Sequence, residues 1–364
     1  MTARPARHYP GRHHLLTRHP KGFPMNRFAQ FVLSSALLLV AAAPSRAETT
    51  VNIYSYRQPE LIEPLLQAVT AKTGIRTRLV FADAGLVERM AQEGANSPAD
   101  LLLTTDLTRL VQATDEGLAQ PVADASILQH VPANLRDSEN RWFGLTMRAR
   151  VAYVSKERVT QAALSYEELA TPAWKGRICI RPGQHVYNLG LISAMIEHRG
   201  EDATREWLKG LKANLAVKPS GNDRSQAKSV YAGECDLAIG NTYYMGKMMT
   251  NTQEPEQQEW AKAVRLIFPS SDAMPTHVNI SGMMLAKNAP NREAALQLMA
   301  YLASPSAQQI YAQANFEYPV SPDVAPDSLV AAWGKLTPDP SPVQNLAKHM
   351  KRASELVDEV RFDE

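Results

Sequence analysis

The segment Gly233-Glu234-Cys235-Asp236-Leu237-Ala238-Ile239-Gly240-Asn241-Thr242-Tyr243-Tyr244 carries a strand signal, a break and a pair of phenols in close succession. Leu237, Ala238 and Ile239 read as a short buried strand, and Gly240 and Asn241 read as its end. In an open α/β sheet, ligands sit at the carboxyl ends of strands. Adjacent residues on a strand point to opposite faces, but past the strand end that rule lapses and two phenols can converge. Vicinal phenols suit a hard, highly charged cation, which binds them as phenolates by displacing protons with a free pKa of about 10. The plainer reading of Tyr243 and Tyr244 is amphipathic packing.

The stretches around this segment alternate between strand and helix patterns. Residues 50–55 read as a strand. Pro59 suits a first helical position, and Leu61, Ile62, Leu65, Leu66 and Val69 line one face of a helix that Gly74 closes. Strands over 76–82 and 98–104 flank a helix carrying Leu86, Val87 and Met90. A long apolar strand over 142–154 contains Arg148 and Arg150. The pattern then restarts, with strands over 176–181, 216–218, 237–240 and 264–268 and helices over 189–198, 203–213 and 225–232. A second long strand over 276–285 carries the chain back, and the tail from Arg292 is helical. Such alternation argues for parallel sheets. Two α/β patterns joined by two long crossings predict a two-lobed protein with a ligand cleft between the lobes.

Residues 1–47 hold seven of the 39 Lys and Arg residues and no Asp or Glu. The apolar run 31–43 is followed by Ser45-Arg46-Ala47, the order of a secretory signal peptide. The run is too short for a lasting membrane span. Met25 reads as the true start, with an upstream extension before it. Without residues 1–47 the chain has 317 residues, with 32 basic against 37 acidic, a net charge near −5. That balance gives no reason to expect a nucleic-acid partner. The length suits two domains of ordinary size. The expected product is an exported monomer. Its two cysteines, Cys179 and Cys235, are expected to form a disulfide, the alternative being two buried thiols side by side.

The sequence resembles the periplasmic ferric-iron-binding proteins of bacterial iron ABC transporters. The residues that carry the resemblance are Ile53 through Pro59, Ala99 through Thr104, Leu145 through Val151, His185-Val186-Tyr187-Asn188, and Cys235 through Tyr244. It implies an α/β, two-lobed type II periplasmic binding fold with an interlobe cleft and two hinge crossings. It also implies residence in the periplasm, capture of Fe3+, and delivery to an ABC permease of the inner membrane. The implied lobes are 48–147 plus 276–364, and 148–275.

Matched residue by residue, Tyr187, Tyr243 and Tyr244 are the implied metal ligands. Ferric ion is a hard acid that favours anionic oxygen donors. Many relatives place His-Tyr after the first motif's arginine. Here Gln58 and Pro59 stand there, and Pro59 has no donor atom. The resemblance is therefore to a subgroup with three tyrosines and a synergistic anion, carbonate or bicarbonate. Arg57 is its implied anchor, because a guanidinium fork matches a planar oxyanion. Gln58, Arg148 and Arg150 are further anion-binding candidates, and Asn188 and Asn241 are candidates for orienting the ligands. His185, two residues before Tyr187, would share its face on a strand and reads as a structural or surface histidine.

Two other functions compete. One is a same-fold protein binding an organic or inorganic anion through Arg57, Arg148 and Arg150. The other is an exported enzyme, for which the sequence shows no nucleophile–base pair, no HExxH, no CxxC and no Gly-rich phosphate loop.

Overall fold

A computed structural model describes residues 50–364. The signal peptide expected over 1–47, with its start at Met25, lies outside the described residues. In chain order come β1 (Thr50–Ser55), α1 (Pro59–Thr73), β2 (Arg76–Phe81), α2 (Leu86–Glu93), β3 (Leu101–Thr104), α3 (Leu107–Asp115), the short α4 (Ala125–Leu128) and the long β4 (Phe143–Ser155). Next are β5 (Ile178–Cys179), α5 (Val186–Arg199), α6 (Glu201–Ala213), α7 (Asp223–Ala232), β6 (Leu237–Asn241), α8 (Thr242–Met249), α9 (Glu256–Ala263) and β7 (Val264–Ile267). The last are β8 (Val278–Leu285), α10 (Arg292–Ala303), α11 (Pro305–Asn315), β9 (Tyr318–Pro319), α12 (Ser328–Ala331) and α13 (Asn345–Glu359).

Local chemistry sets several of these boundaries. Pro59 takes the first position of α1, and Gly74 ends it in the left-handed conformation. Asp106 caps α3 by accepting the Thr108 N–H, and Asn222 caps α7 through the Arg224 and Ser225 amides. β3 is buried along its whole length, as its unbroken apolar run requires.

The strand order is β2-β1-β3-β8-β4-β6-β5, with β7 and β9 also pairing to β4. β1 runs parallel to β2 and β3, and β5 runs parallel to β6. The parallel pairing expected from the alternation gives way at the two crossings, where β8 is antiparallel to β3 and β4, and β4 is antiparallel to β6 and β7. No helical crossover links β7 to β8, so the direction of the returning chain sets the pairing.

β4 is the shared element. Its first part, to Ala149, pairs with β8, and its second part, from Arg150, pairs with β6 and β7. The return crossing runs beside it, and the Arg150 N–H donates to the His277 carbonyl at 3.0 Å. The sheet therefore changes partners at 149/150 and 277/278, two residues beyond each expected boundary.

The expected placement of the whole tail with the first lobe also needs correction. α13 packs on α5 and is held to both α5 and α6: His349 Nε2 lies 2.8 Å from Glu197 of α5, and Arg352 pairs with Glu201 of α6 at 2.6 Å. Asp363 accepts from the Gly183 amide at 2.6 Å. The apolar stripe of α13 contains Ala353, Leu356 and Val357, all buried.

The predicted strand over 216–218 is absent. Leu215 makes an isolated bridge to Ile178, and Val217 is 42% exposed, so no burial holds that stretch in a sheet. The predicted strand over 176–181 contracts to two residues, ahead of the turn at Pro182-Gly183. Cys179 and Cys235 form a disulfide, with Cα atoms 5.9 Å apart. It joins β5 to the residues that lead into β6.

Candidate metal centre

β6 delivers the tyrosine pair to the start of α8. Gly240 and Asn241 continue the strand rather than breaking it. Gly240 is needed for space, because a Cβ there would overlap the Tyr153 ring. The Tyr153 hydroxyl passes beneath and donates to the Asn241 carbonyl. Thr242 opens α8, so Tyr243 and Tyr244 lie in its first turn. Their rings are 4.3 Å apart, centroid to centroid, and tilted by 31°.

Tyr187 comes from a helix start as well. The histidine before it was expected to share a strand face with it, but no strand forms there. His185 caps α5, its Nδ1 accepting the Tyr187 N–H at 3.2 Å. That cap turns the Tyr187 hydroxyl to within 3.0 Å of the Tyr243 hydroxyl. All three phenols therefore sit in the first turns of α5 and α8, where the helix dipole favours negative charge. Without a cation the opposite influence dominates. Burial pushes the Tyr244 phenol up to about 12 and Tyr243 well above the usual phenol range, with the neighbouring phenols adding to the effect. Among the described residues no three His, Cys, Asp or Glu side chains gather into a metal cluster.

The phenols open onto a cavity of about 260 Å³. Tyr56, Arg57, Gln58, Asp83, Thr105, Arg109, Arg148, Arg224, Lys247 and Glu317 complete its wall. The cavity lies between residues from both sides of the β4 switch.

The arginines differ in what they already hold. Arg57 faces the cavity, but its Nη2 bonds Ser281 at 2.6 Å and Glu317 at 3.0 Å, and its Nε bonds Tyr311 at 3.1 Å. The Nε–Nη2 edge of its fork is thus held by protein, while Nη1 has no hydrogen-bond partner among the described residues. Burial opposes its charge, but Glu317 holds Arg57 protonated beyond the ordinary range. Glu317, against the effect of its own burial, is held below the usual carboxylate range by Arg57 and Arg148. Arg148 also lines the cavity and reaches Asp106 at 3.3 Å.

Arg150 does not line the cavity, which corrects its assignment to an anion. It is buried behind the tyrosines, bonding Asp223 at 2.8 Å, Asn188 at 2.7 Å and Asn241 at 3.3 Å. The Asn188 and Asn241 side chains therefore accept from Arg150 and hydrogen-bond to none of Tyr187, Tyr243 and Tyr244. Gln58 sits on the rim ahead of α1. Tyr56 faces the cavity, but its hydroxyl accepts the Val87 amide at 3.0 Å.

Sequence reasoning missed Arg224, Lys247, Asp223, Arg181 and Glu317. Arg224 lies 5.1 Å from the Tyr244 ring centre, and Lys247 lies 5.3 Å from that of Tyr243. Burial, together with Arg57, brings Lys247 down to about 8. The one available signal was helical spacing, since Lys247 stands one turn after Tyr243. Nothing in sequence links Glu317 to Arg57.

Residues 96–336 match the family described as bacterial extracellular solute-binding protein. The chain is 43% identical to the iron uptake protein A2 of Synechocystis, over 92% of this chain and 98% of that protein. Its fold superposes on the ferric iron-binding protein A of Mannheimia haemolytica in an open conformation, with a TM-score of 0.83. That match has 46% identity and covers 87% of this chain and 99% of that one. A Trichodesmium protein solved with iron and citrate ligands gives a TM-score of 0.82 and 39% identity, covering 86% and 99% of the two chains.

Proposed function

The chain belongs to the bacterial extracellular solute-binding proteins, and from that premise we propose that it captures Fe3+ through Tyr187, Tyr243 and Tyr244. The observation that carries the reading is the convergence of three phenols in the first turns of α5 and α8, with Tyr187 and Tyr243 hydroxyls 3.0 Å apart. Three phenolates balance the charge of a ferric ion, and oxygen anions are the donors it favours. The similarity to proteins named for iron uptake and ferric iron binding supports the same cargo. The protein is a carrier and does no catalysis. The signal pattern of residues 1–47 supports export to the periplasm, and the family supports an ABC permease as the receiver.

A synergistic anion completes the site in this reading. The wall has five cations, Arg57, Arg109, Arg148, Arg224 and Lys247, against Asp83, Glu317 and the Asp106 behind Arg148. Two positive charges remain once iron and phenolates balance, which suits a dianion such as carbonate. Citrate accompanies iron in the Trichodesmium relative, so a carboxylate is the other chemistry of this kind.

The two lobes proposed are 50–149 with 278–344, and 150–277 with 345–364. The switch of β4 between partners and the packing of α13 on α5 support this division.

The experiment is a competition for Fe3+ against a soluble chelator, using the wild type and a Tyr187→Phe/Tyr243→Phe/Tyr244→Phe variant. Wild type is expected to hold iron and the folded triple variant to lose it. The positively charged wall also fits an organic-anion carrier. That reading would win if the triple variant kept full ligand affinity.

A further inference from the structure

Of the five cations of the cavity wall, Arg109 donates to the Asp83 carbonyl at 2.8 Å, and the other four fall into two groups. Arg57 and Arg148 each contact a carboxylate, at 3.0 Å and 3.3 Å. Arg224 and Lys247 form no ion pair, and their side chains make no hydrogen bond, among the described residues. The Arg224 Nε is buried without a partner. A buried cationic donor left unmatched costs free energy, so its retention at a ligand cavity points to a ligand that supplies the missing acceptor. Both residues stand beside the phenols, Arg224 by the Tyr244 ring and Lys247 by the Tyr243 ring, on the adjoining helices α7 and α8. They belong to the same side of the β4 switch as all three tyrosines. Arg57 enters from the other side, on the chain between β1 and α1.

We propose that Arg224 and Lys247 hold the anion that accompanies the ferric ion, and that this pair makes the site select a dianionic oxyanion over a monocarboxylate. The inference rests on the ferric reading above. Two separate cations on one side of the cavity match two negative oxygens better than one, and each charge-assisted bond adds discrimination. A guanidinium and an ammonium differ in geometry, so the pair accommodates either carbonate or a short dicarboxylate such as oxalate. It follows that the anion is seated on the tyrosine half, before the other half covers it.

The test is an anion titration of the Fe3+-loaded protein, reading the visible phenolate-to-iron band against bicarbonate, oxalate and acetate. Wild type is expected to respond to bicarbonate or oxalate at a concentration at least about tenfold below that for acetate. The lower of the first two identifies the source of the dianion. Lys247→Met and Arg224→Gln should each shrink the preference over acetate by about tenfold, and Lys247→Arg and Arg224→Lys should restore most of it. Equal responses to oxalate, bicarbonate and acetate in the wild type overturn the proposal without any variant. So does a preference that survives both substitutions and disappears in Arg148→Gln. A folded wild type with no visible band refutes the ferric reading itself, and this inference with it.

Discussion

At the scale of single residues, the proposed function rests on the phenols. Tyr243 is buried and its hydroxyl touches that of Tyr187, so in the proposed site removing its oxygen would take one of three phenolates from the metal. Tyr243→Phe is expected to lower ferric affinity by about a hundredfold or more, measured by chelator competition. A tenfold loss or less would place the residue in packing. Because burial raises Tyr243 and Tyr244, both are protonated before metal arrives, and binding must release their protons. Ferric affinity should therefore fall by about two decades per pH unit through these two groups as pH drops. A flat profile between pH 8 and 6 would contradict phenolate ligation. The placement of the Tyr243–Tyr244 pair past a strand end was legible in sequence, because the apolar run before it marks the strand. The arginines were not equally legible. Arg150 is held by Asp223 and Arg57 gives one edge of its fork to Glu317, partners that lie 73 and 260 residues away in the chain. Sequence shows charge but not which charges are already matched. Arg150→Met should destabilise the fold by about 3 kcal/mol, read from denaturant midpoints, since it leaves the fully buried Asp223 with Arg181 as its remaining cation.

At the scale of elements, the placement of the site depends on where strands give way to helices. Short apolar runs marked most strands, though 216–218 forms none and 176–181 keeps only two residues, and Pro59 marked the start of α1. The stretch around Tyr187 misled the strand reading because a capping histidine is a local signal that periodicity does not detect. The direction of β8 was hidden too, since it is set by the return crossing and not by its own residues. The disulfide lies within this frame. It closes a loop with a sequence separation of 56, so its loss should cost about 4 kcal/mol by loop entropy. A Cys179→Ser/Cys235→Ser variant tests this by chemical denaturation, and an unchanged midpoint would show that the bridge adds nothing. α8 also meets the opposite half. A Cβ on Gly246 would overlap the Phe316 ring, which precedes Glu317. Gly246→Ala should hold the halves apart and increase the radius of gyration of the iron-loaded protein in X-ray scattering. A scattering curve identical to wild type would mean that the contact yields freely.

At the scale of the whole molecule, β4 and the returning crossing form a pair of adjacent links between halves, and α13 ties the end of the chain to the tyrosine half. Closure of such halves around a ligand is a hinge motion. The residue packed into the hinge is His277, whose carbonyl receives the Arg150 amide. Burial pushes its imidazole down to about 3, Asp339 opposing and Arg150, Arg148 and His198 reinforcing. The folded chain thus refuses a proton that the unfolded chain accepts below about pH 6.5. This contribution to stability is complete above pH 6.5 and declines as pH falls toward 3. His277→Gln should flatten the fall in melting temperature between pH 6.5 and 4, and an equal slope in both proteins would remove His277 from the account.

The measurement closest to the central claim is a visible absorption titration of the metal-stripped protein with Fe3+, with and without bicarbonate. A phenolate-to-iron band that saturates at one equivalent, strengthens with bicarbonate and disappears in the Tyr→Phe triple variant is the predicted result. A folded protein that develops no such band would contradict ferric capture by these tyrosines.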